Sequence, residues 1–103
     1  SIASMQTAAI SAGSFEHMLP VAVIDIEEAA SLNLSYRISA DVLDTKFVLQ
    51  DTGGEVLWSR TDQGIGITLN SQETFENIES GTYELVLYGR ANNLKVNLEW
   101  RVY

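Results

Sequence analysis

Apolar and polar residues alternate one by one along the last ten residues of the chain. A period of two is typical of a β-strand with one buried face and one solvated face. We expect this strand to follow a tight turn at residues 80–81, a first strand and a polar loop at residues 92–93, so that a terminal hairpin forms one edge of the molecule. The apolar row is Leu94, Val96, Leu98, Trp100 and Val102, and the polar row is Lys95, Asn97, Glu99, Arg101 and Tyr103.

Shorter stretches with strand-like patterns recur through the rest of the chain. Asp51-Thr52-Gly53-Gly54 separates two of them and predicts a hairpin, because glycine takes the positive φ that such a turn requires. The links are short and polar, and none of them is long enough for a stable helix. The pattern predicts an all-β fold, an antiparallel β-sandwich of jelly-roll type with seven to nine strands. The predicted strands lie at residues 7–12, 21–26, 32–39, 46–50, 55–59, 64–69 and around Phe75, followed by the terminal hairpin.

The length of 103 residues is that of one domain, and no linker, repeat or low-complexity tract divides it. We therefore expect a single β-sandwich domain over residues 1–103, with partial order at residues 1–6, where alanine and serine dominate. The sequence holds no cysteine, which excludes disulfides and thiolate metal sites.

The formal net charge of −8 narrows the range of partners. A surface of this sign repels phosphate backbones and anionic lipid headgroups, so we expect no nucleic-acid partner. No apolar run approaches the length of roughly 20 residues that a membrane span needs. The low lysine content and the β architecture favour an extracytoplasmic protein, either secreted, periplasmic or a lipoprotein.

The order of features between Lys46 and Trp100 resembles two known families. A hairpin FVLQDTGGEVLW is followed by a strand pair with the spacing F-x5-G-x-Y. This arrangement is similar to that of the GOLD domain and of the bacterial pre-peptidase C-terminal domain. The resemblance implies a compact sandwich and a non-catalytic accessory, cargo-binding or secretion-linked role. The residues that carry it are Phe47, Gly54, Val56, Phe75, Gly81 and Tyr83.

Two groups of residues are candidates for binding. Tyr88, Tyr103, Asn97 and Arg101 fall on the polar phase of the last two strands and predict an exposed strip for a sugar or a partner protein. Asp41, Asp44 and Asp51 could coordinate calcium through carboxylate oxygens from two loops. The alternative for these aspartates is that they form turns by bonding to their own backbone.

The sequence holds no constellation of catalytic residues. His17 is the only histidine, no nucleophile motif G-x-S-x-G accompanies it, and no glycine-rich phosphate loop opens a helix. We therefore expect a non-catalytic interaction or structural module without a cofactor. A carbohydrate- or small-ligand-binding module and a calcium-stabilised accessory domain are the alternatives. Protein or glycan partners fit this interpretation, as does a homodimer through an edge strand at residues 21–26, which are apolar on both faces.

Overall fold

The computed structural model describes residues 4–103, which form four long β-strands joined by short turns. The strands are β1 (Ser4–Ile26), β2 (Ala30–Asp51), β3 (Val56–Ile78) and β4 (Gly81–Val102). They pair in the order β1-β4-β2-β3, and all three pairings are antiparallel. The predicted all-β antiparallel class is confirmed, whereas the predicted number of seven to nine strands is wrong. The terminal hairpin is not an edge either, because β4 lies between β1 and β2.

Each strand folds back on itself, and the sheet therefore makes two layers. A straight strand of this length would span roughly 75 Å, but the longest dimension of the molecule is 41 Å. Tyr36 and Phe47, on the same strand, would lie about 36 Å apart if β2 were straight, yet their ring centroids are 5.4 Å apart. Trp58 and Phe75 on β3 meet in the same way at 5.9 Å. The two halves of each strand thus face each other across a shared interior.

One row of four residues marks the bend across the whole sheet. By extension of the register Gly13 on β1 falls level with Asn93 on β4, and Asp41 on β2 falls level with Gly66 on β3, but the strand pairing itself is interrupted at this row. Asn93 and Gly66 have positive φ, which asparagine and glycine adopt at little cost. The Asn93 amide donates a hydrogen bond to the Asp41 carboxylate. The first layer consists of residues 4–12, 32–40, 67–75 and 94–102, and the second of residues 14–26, 42–51, 56–65 and 81–92.

The bend explains why the strand count was wrong. At the bend the inward positions change phase: on β2 they are even-numbered up to Ala40 and odd-numbered from Leu43 onwards, whereas the buried Val48 lies on the outer face. The strands change phase together at this row, so the register between them is the same on both sides of the bend. The sequence pattern breaks at such a point as it does at a loop, so the polar residues at 40–45 and 92–93 were predicted as loops although the strands continue through them.

The hydrophobic core fills the space between the two layers. Its centre comes from β2 and β4, while the inward residues of β1 and β3 are mostly half-buried because these strands lie at the edges. The predicted inward row of the last strand is confirmed for its first four members, which are buried, and Val102 is half-buried. The largest fully buried side chains of the core are Ile24, Leu32, Leu34, Ile38, Leu43, Phe47, Leu49, Leu85, Leu87 and Leu94.

Residues 4–103 contain no helix with the length and hydrophobicity that a membrane crossing requires. Of the segment 1–6, for which partial order was expected, residues 4–6 belong to β1. Residues 1–3 lie outside the described part of the chain.

Candidate functional site

The outward side chains of the first layer form a regular grid of four strands by four rows, which we call the polar face. The register is unbroken across it, so each row contains one residue from each strand in the order β1, β4, β2, β3. Ten of the sixteen side chains are hydroxyls or amides, and none is buried. The rows are Ser11, Lys95, Ser39 and Thr68; Ala9, Asn97, Arg37 and Asn70; Thr7, Glu99, Ser35 and Gln72; and Met5, Arg101, Asn33 and Thr74.

The polar face has the opposite charge from the molecule as a whole. Three of the six cationic residues of the chain lie on it, namely Arg37, Lys95 and Arg101, and they are opposed by Glu99 alone among the fourteen carboxylates. The face therefore carries a formal charge of +2, although the chain carries −8. A positive face on an acidic protein attracts anionic ligands to one place on the surface.

The side chains of the polar face divide into a paired end and a free centre. At the paired end Arg101 lies 3.5 Å from Glu99, and the Gln72 amide donates to Asn33 Oδ1 at 2.9 Å. At the centre the side chains of Arg37, Asn97, Asn70 and Lys95 make no hydrogen bond or ion pair with other described residues. The centre therefore offers donors and acceptors to a ligand without breaking contacts within the protein.

Two adjoining depressions cross the polar face and the bend. One, of about 740 Å³, lies across the rows of Asn97 and Glu99, and the other, of about 690 Å³, lies across the row of Lys95 and the bend at Asn93. Both involve all four strands, so together they form a shallow groove that runs over the sheet. Its length suits an extended ligand better than a compact one.

The outer face of the second layer, which we call the Tyr88 face, is different. Val48 and Val86 oppose each other in the centre of this face, and they are only 2% and 1% exposed. The Tyr88 hydroxyl donates to Gln50 Oε1 at 3.0 Å. Because Tyr88 and Gln50 lie on neighbouring strands on either side of the valine row, their side chains meet above Val48 and cover it.

The predicted ligand strip is divided between these two faces. Asn97, Arg101 and Tyr103 lie on the outer side of the first layer. Tyr103 follows the last residue of β4, and its backbone pairs with that of Ser31. Tyr88 lies on the other layer, half-buried and bonded to Gln50. The bend at Asn93 lies between Tyr88 and these three residues. Polar side chains before the bend therefore lie on the outer face of the second layer, and those after it lie on the outer face of the first layer.

The three aspartates of the predicted calcium site are not brought together. Asp41 accepts a hydrogen bond from the Asn93 amide at the bend. The carboxylate of Asp44 lies 3.8 Å from the Arg90 guanidinium on the Tyr88 face. Asp51 accepts a hydrogen bond of 2.9 Å from the backbone N–H of Glu55 in the hairpin turn. Within residues 4–103 no group of three or more acidic or histidine side chains has an arrangement that could hold a metal ion. Asp51 matches the turn-forming alternative.

A second polar cluster lies inside the sandwich, at the open side next to β3. The Arg60 guanidinium bonds to Asp62 at 2.8 Å and donates to the Tyr36 hydroxyl at 3.0 Å, and that hydroxyl donates to Glu73 at 3.3 Å. The bonds to Asp62 and Tyr36 raise the pKa of Arg60, so it stays cationic. Because Arg60 belongs to the second layer and Tyr36 and Glu73 to the first, the cluster ties the two layers together.

The sequence reasoning missed the centre of the polar face. Within the predicted strand at residues 32–39, Arg37 falls among the polar residues. Its position beside Asn97 depends on the pairing of β2 with β4, and that of Asn70 depends on the pairing of β2 with β3. Asn70 moreover lies just beyond the predicted strand at residues 64–69. A prediction of the bend at Gly66 would have extended β3 through Asn70 and brought it to this face.

Neither a protein-family model nor a curated protein matches the sequence. Solved structures do match the fold. The C-terminal CBM6 of LamC, a marine laminarinase from Zobellia galactanivorans, is 14% identical with a TM-score of 0.60, over 97% of this chain and 100% of that one. PliG from Aeromonas hydrophila, a periplasmic inhibitor of g-type lysozyme, is 10% identical with a TM-score of 0.53, over 98% of this chain and 86% of that one.

The pre-peptidase C-terminal domain of collagenase from Bacillus anthracis also matches. It is 16% identical with a TM-score of 0.53, over 95% of this chain and 88% of that one. The resemblance to this type of β-sandwich is thereby confirmed as a likeness of fold. At these identities the likeness extends to the sandwich architecture and not to the site residues.

Proposed function

We propose that the chain is a non-catalytic binding module whose polar face takes a glycan. The observation that carries the proposal is the free centre of that face, where Asn97, Arg37 and Asn70 lie in one row within a groove. Neighbouring strands place these side chains about 4.8 Å apart, so amide and guanidinium groups alternate at close intervals. Such a row can bond to a ligand that presents many hydroxyl or carboxylate oxygens.

The charge of the face favours acidic glycans over neutral ones. Arg37 and Lys95 lie at the centre of the groove without a carboxylate partner among the described residues, and guanidinium groups bind carboxylates through two parallel hydrogen bonds. Tyr103 at the end of the face could add an aromatic contact with the ligand, in agreement with its place in the strip predicted from the sequence. Two of the solved structures with a similar fold are a CBM6 and a lysozyme inhibitor, which supports a binding role on this architecture.

A titration with uronic acid oligosaccharides and with neutral oligosaccharides of the same length tests the proposal. We expect binding of the acidic series to fall by about tenfold in Arg37→Ala, the loss of one charge-assisted pair. Arg90→Ala removes the same charge from the Tyr88 face and serves as the matched control, with binding within about twofold of the wild type. Equal binding by wild type and Arg37→Ala would contradict the proposal.

An extracytoplasmic location belongs to the same proposal. It is supported by the low lysine content and the β architecture of the chain, and by the periplasmic inhibitor among the proteins of similar fold. Fractionation of cells that express the chain from its native gene tests it. Recovery in the periplasm or the medium is expected, and recovery with cytoplasmic markers would contradict it.

A calcium-stabilised domain is the weaker alternative. The separation of Asp41, Asp44 and Asp51 gives it no site among these three residues. At the end of the sandwich Asp51, Glu55 and Glu79 do approach Tyr83, and burial followed by these negative charges raises the pKa of the tyrosine. A melting temperature that rises with added calcium would favour this alternative, and an unchanged melting temperature would contradict it.

A further inference from the structure

The two edges of the sheet differ in how they are protected against pairing with another chain. β1 and β3 are the outer strands of the order β1-β4-β2-β3, and each has one hydrogen-bonded neighbour in the described part of the chain. The free N–H and C=O groups of such strands pair with other strands unless charges, prolines or bulges prevent it.

β3 is protected along both of its halves. Arg60, Asp62 and Glu73 point inward from it, and a neighbouring strand would have to cover these charged side chains. Gly66, with φ of 60°, bends the strand in the middle. Inward charges and a bend are two of the features that keep an edge strand from accepting a partner.

The second half of β1 is protected as well. His17 has φ of 75°, and the register with β4 shifts between Pro20 and Ala22. Proline removes a donor, and each irregularity displaces the backbone groups that a new strand would need. Glu16 and Asp25 add charge to this half. The segment at residues 21–26, which the sequence favoured for a homodimer, thus lies beside a proline and a bulge.

The first half of β1 lacks all of these features. Residues 5–12, with the sequence MQTAAISA, carry no charge and no proline, and they pair with β4 in unbroken register from Arg101 to Leu94. The inward side chains Ala8, Ile10 and Ala12 stay half-buried although they face the core. Within residues 4–103 this is the longest stretch of edge that is both regular and neutral; the neutral stretch of β3, residues 67–72, is shorter and ends at the inward Glu73.

We infer that residues 5–12 pair with the same segment of a second copy, antiparallel and about a two-fold axis. A two-fold contact pairs the free N–H and C=O groups of both β1 edges at once, and it leaves no copy of this edge free for a third chain. The other edge of each copy is the protected β3, so association stops at two chains. The first layers would join into one sheet of eight strands, in which Ala8 and Ile10 are covered from the side.

Charge favours a second copy at this place in spite of the net charge of −8. The side chains that β1 contributes to the polar face are neutral. The charged side chains nearest to the contact on this face are therefore those of β4, such as Lys95 and Arg101. Three strand spacings of about 4.8 Å would separate the β4 columns of the two copies, roughly 14 Å, which exceeds the Debye length of about 8 Å at physiological salt. The contact does not depend on what the polar face binds.

Light scattering on a dilution series of the purified chain measures the association. We expect the mass of a dimer at high concentration and of a monomer at low concentration. Ala8→Lys gives β1 the kind of inward charge that β3 has, and we expect the dissociation constant to rise by roughly tenfold or more. Thr68→Lys adds the same charge to the β3 edge and should leave the constant within about twofold. A monomeric mass at every concentration, or equal effects of the two variants, would overturn the inference.

A cysteine cross-link tests the contact without the risk that a charged variant unfolds. The chain has no cysteine of its own, so Ala9→Cys introduces a single thiol on the outward side of β1. With the two-fold axis at Ala9, the two introduced thiols oppose each other on antiparallel strands about 5 Å apart, so mild oxidation should convert this variant to a disulfide-linked dimer. Thr68→Cys should stay largely monomeric under the same conditions. Cross-linking of Thr68→Cys at the same rate would place the contact elsewhere.

Discussion

The two outer faces of this sheet are built on the same four strands and differ in what their side chains do. On the polar face no side chain is buried, and its centre is free of internal contacts. On the Tyr88 face Val48 and Val86 are as buried as the core, under Tyr88 and Gln50. One face therefore contributes little to folding and can be devoted to a ligand, whereas the other stabilises the sheet.

The backbone differs between the layers as well. The first layer keeps one unbroken register over all four rows of the polar face. The second layer contains the positive φ of His17 and Gly89 and the register shift after Pro20. A regular backbone gives a flat array of side chains, while an irregular one brings strands close and aims individual side chains. Substitutions in the second layer should consequently be the more costly.

The largest effect is expected for Gly89→Ala in the second layer. Gly89 has φ of 118°, and an added Cβ would clash with the carbonyl oxygen of Asp44 on β2. The strain and the clash together should lower the free energy of unfolding by about 3 kcal/mol or more. Chemical denaturation measures this. Gly13→Ala is the matched control, because a Cβ at Gly13 meets no atom within 4 Å. A comparable loss in both variants would mean that the close approach of Gly89 to β2 does not determine the cost.

A smaller loss is expected for Val48→Ala on the Tyr88 face. The substitution removes two methyl groups beneath the tyrosine ring and leaves a cavity, at a cost of about 2 kcal/mol. Val23→Ala removes the same groups from the same outer face, where the side chain is 57% exposed, and should cost less than about 0.5 kcal/mol. Thermal unfolding of both variants compares them. Equal melting temperatures would mean that Val48 is not covered in solution.

Tyr88→Phe separates the ring from its hydroxyl. The ring still covers Val48, but the hydrogen bond to Gln50 is lost, which should cost about 1 kcal/mol or less. Tyr88→Ala uncovers the valines and should cost more. Neither variant should change glycan binding, because Tyr88 lies on the other layer from Asn97. Loss of binding in Tyr88→Ala with an intact fold would move the binding site to the Tyr88 face.

The sequence predicted the buried positions well because alternation is a local property. The last strand shows this: Leu94, Val96 and Leu98 are buried, and Lys95 and Asn97 are exposed, as the period of two predicts. The prediction of the hairpin turn at residues 51–54 rested equally on local sequence. Gly54 has the expected positive φ, and its backbone N–H donates to the carbonyl oxygen of Asp51.

The strand count and the site depended on properties that are not local. A bend and a loop both interrupt the alternation, and only the pairing with neighbours shows that β4 continues through Asn93. Tyr88 was grouped with Asn97 because both lie on the polar phase of one hairpin, yet the bend between them places them on opposite faces. Register likewise decided that Arg37 joins Asn97, which alternation within one strand could not predict.

The smallest effect on stability is expected for Asn97→Ala at the centre of the polar face. The Asn97 side chain is exposed and makes no contact that folding depends on, so the free energy of unfolding should change by less than about 0.5 kcal/mol. Binding of an acidic oligosaccharide should nevertheless weaken severalfold, and added salt should weaken it in wild type and variant alike, since Arg37 and Lys95 act through exposed charges. Calorimetry at two salt concentrations measures both effects. A variant that loses stability in step with binding would show that the polar face is part of the folding framework, and the distinction between the two faces would then fail.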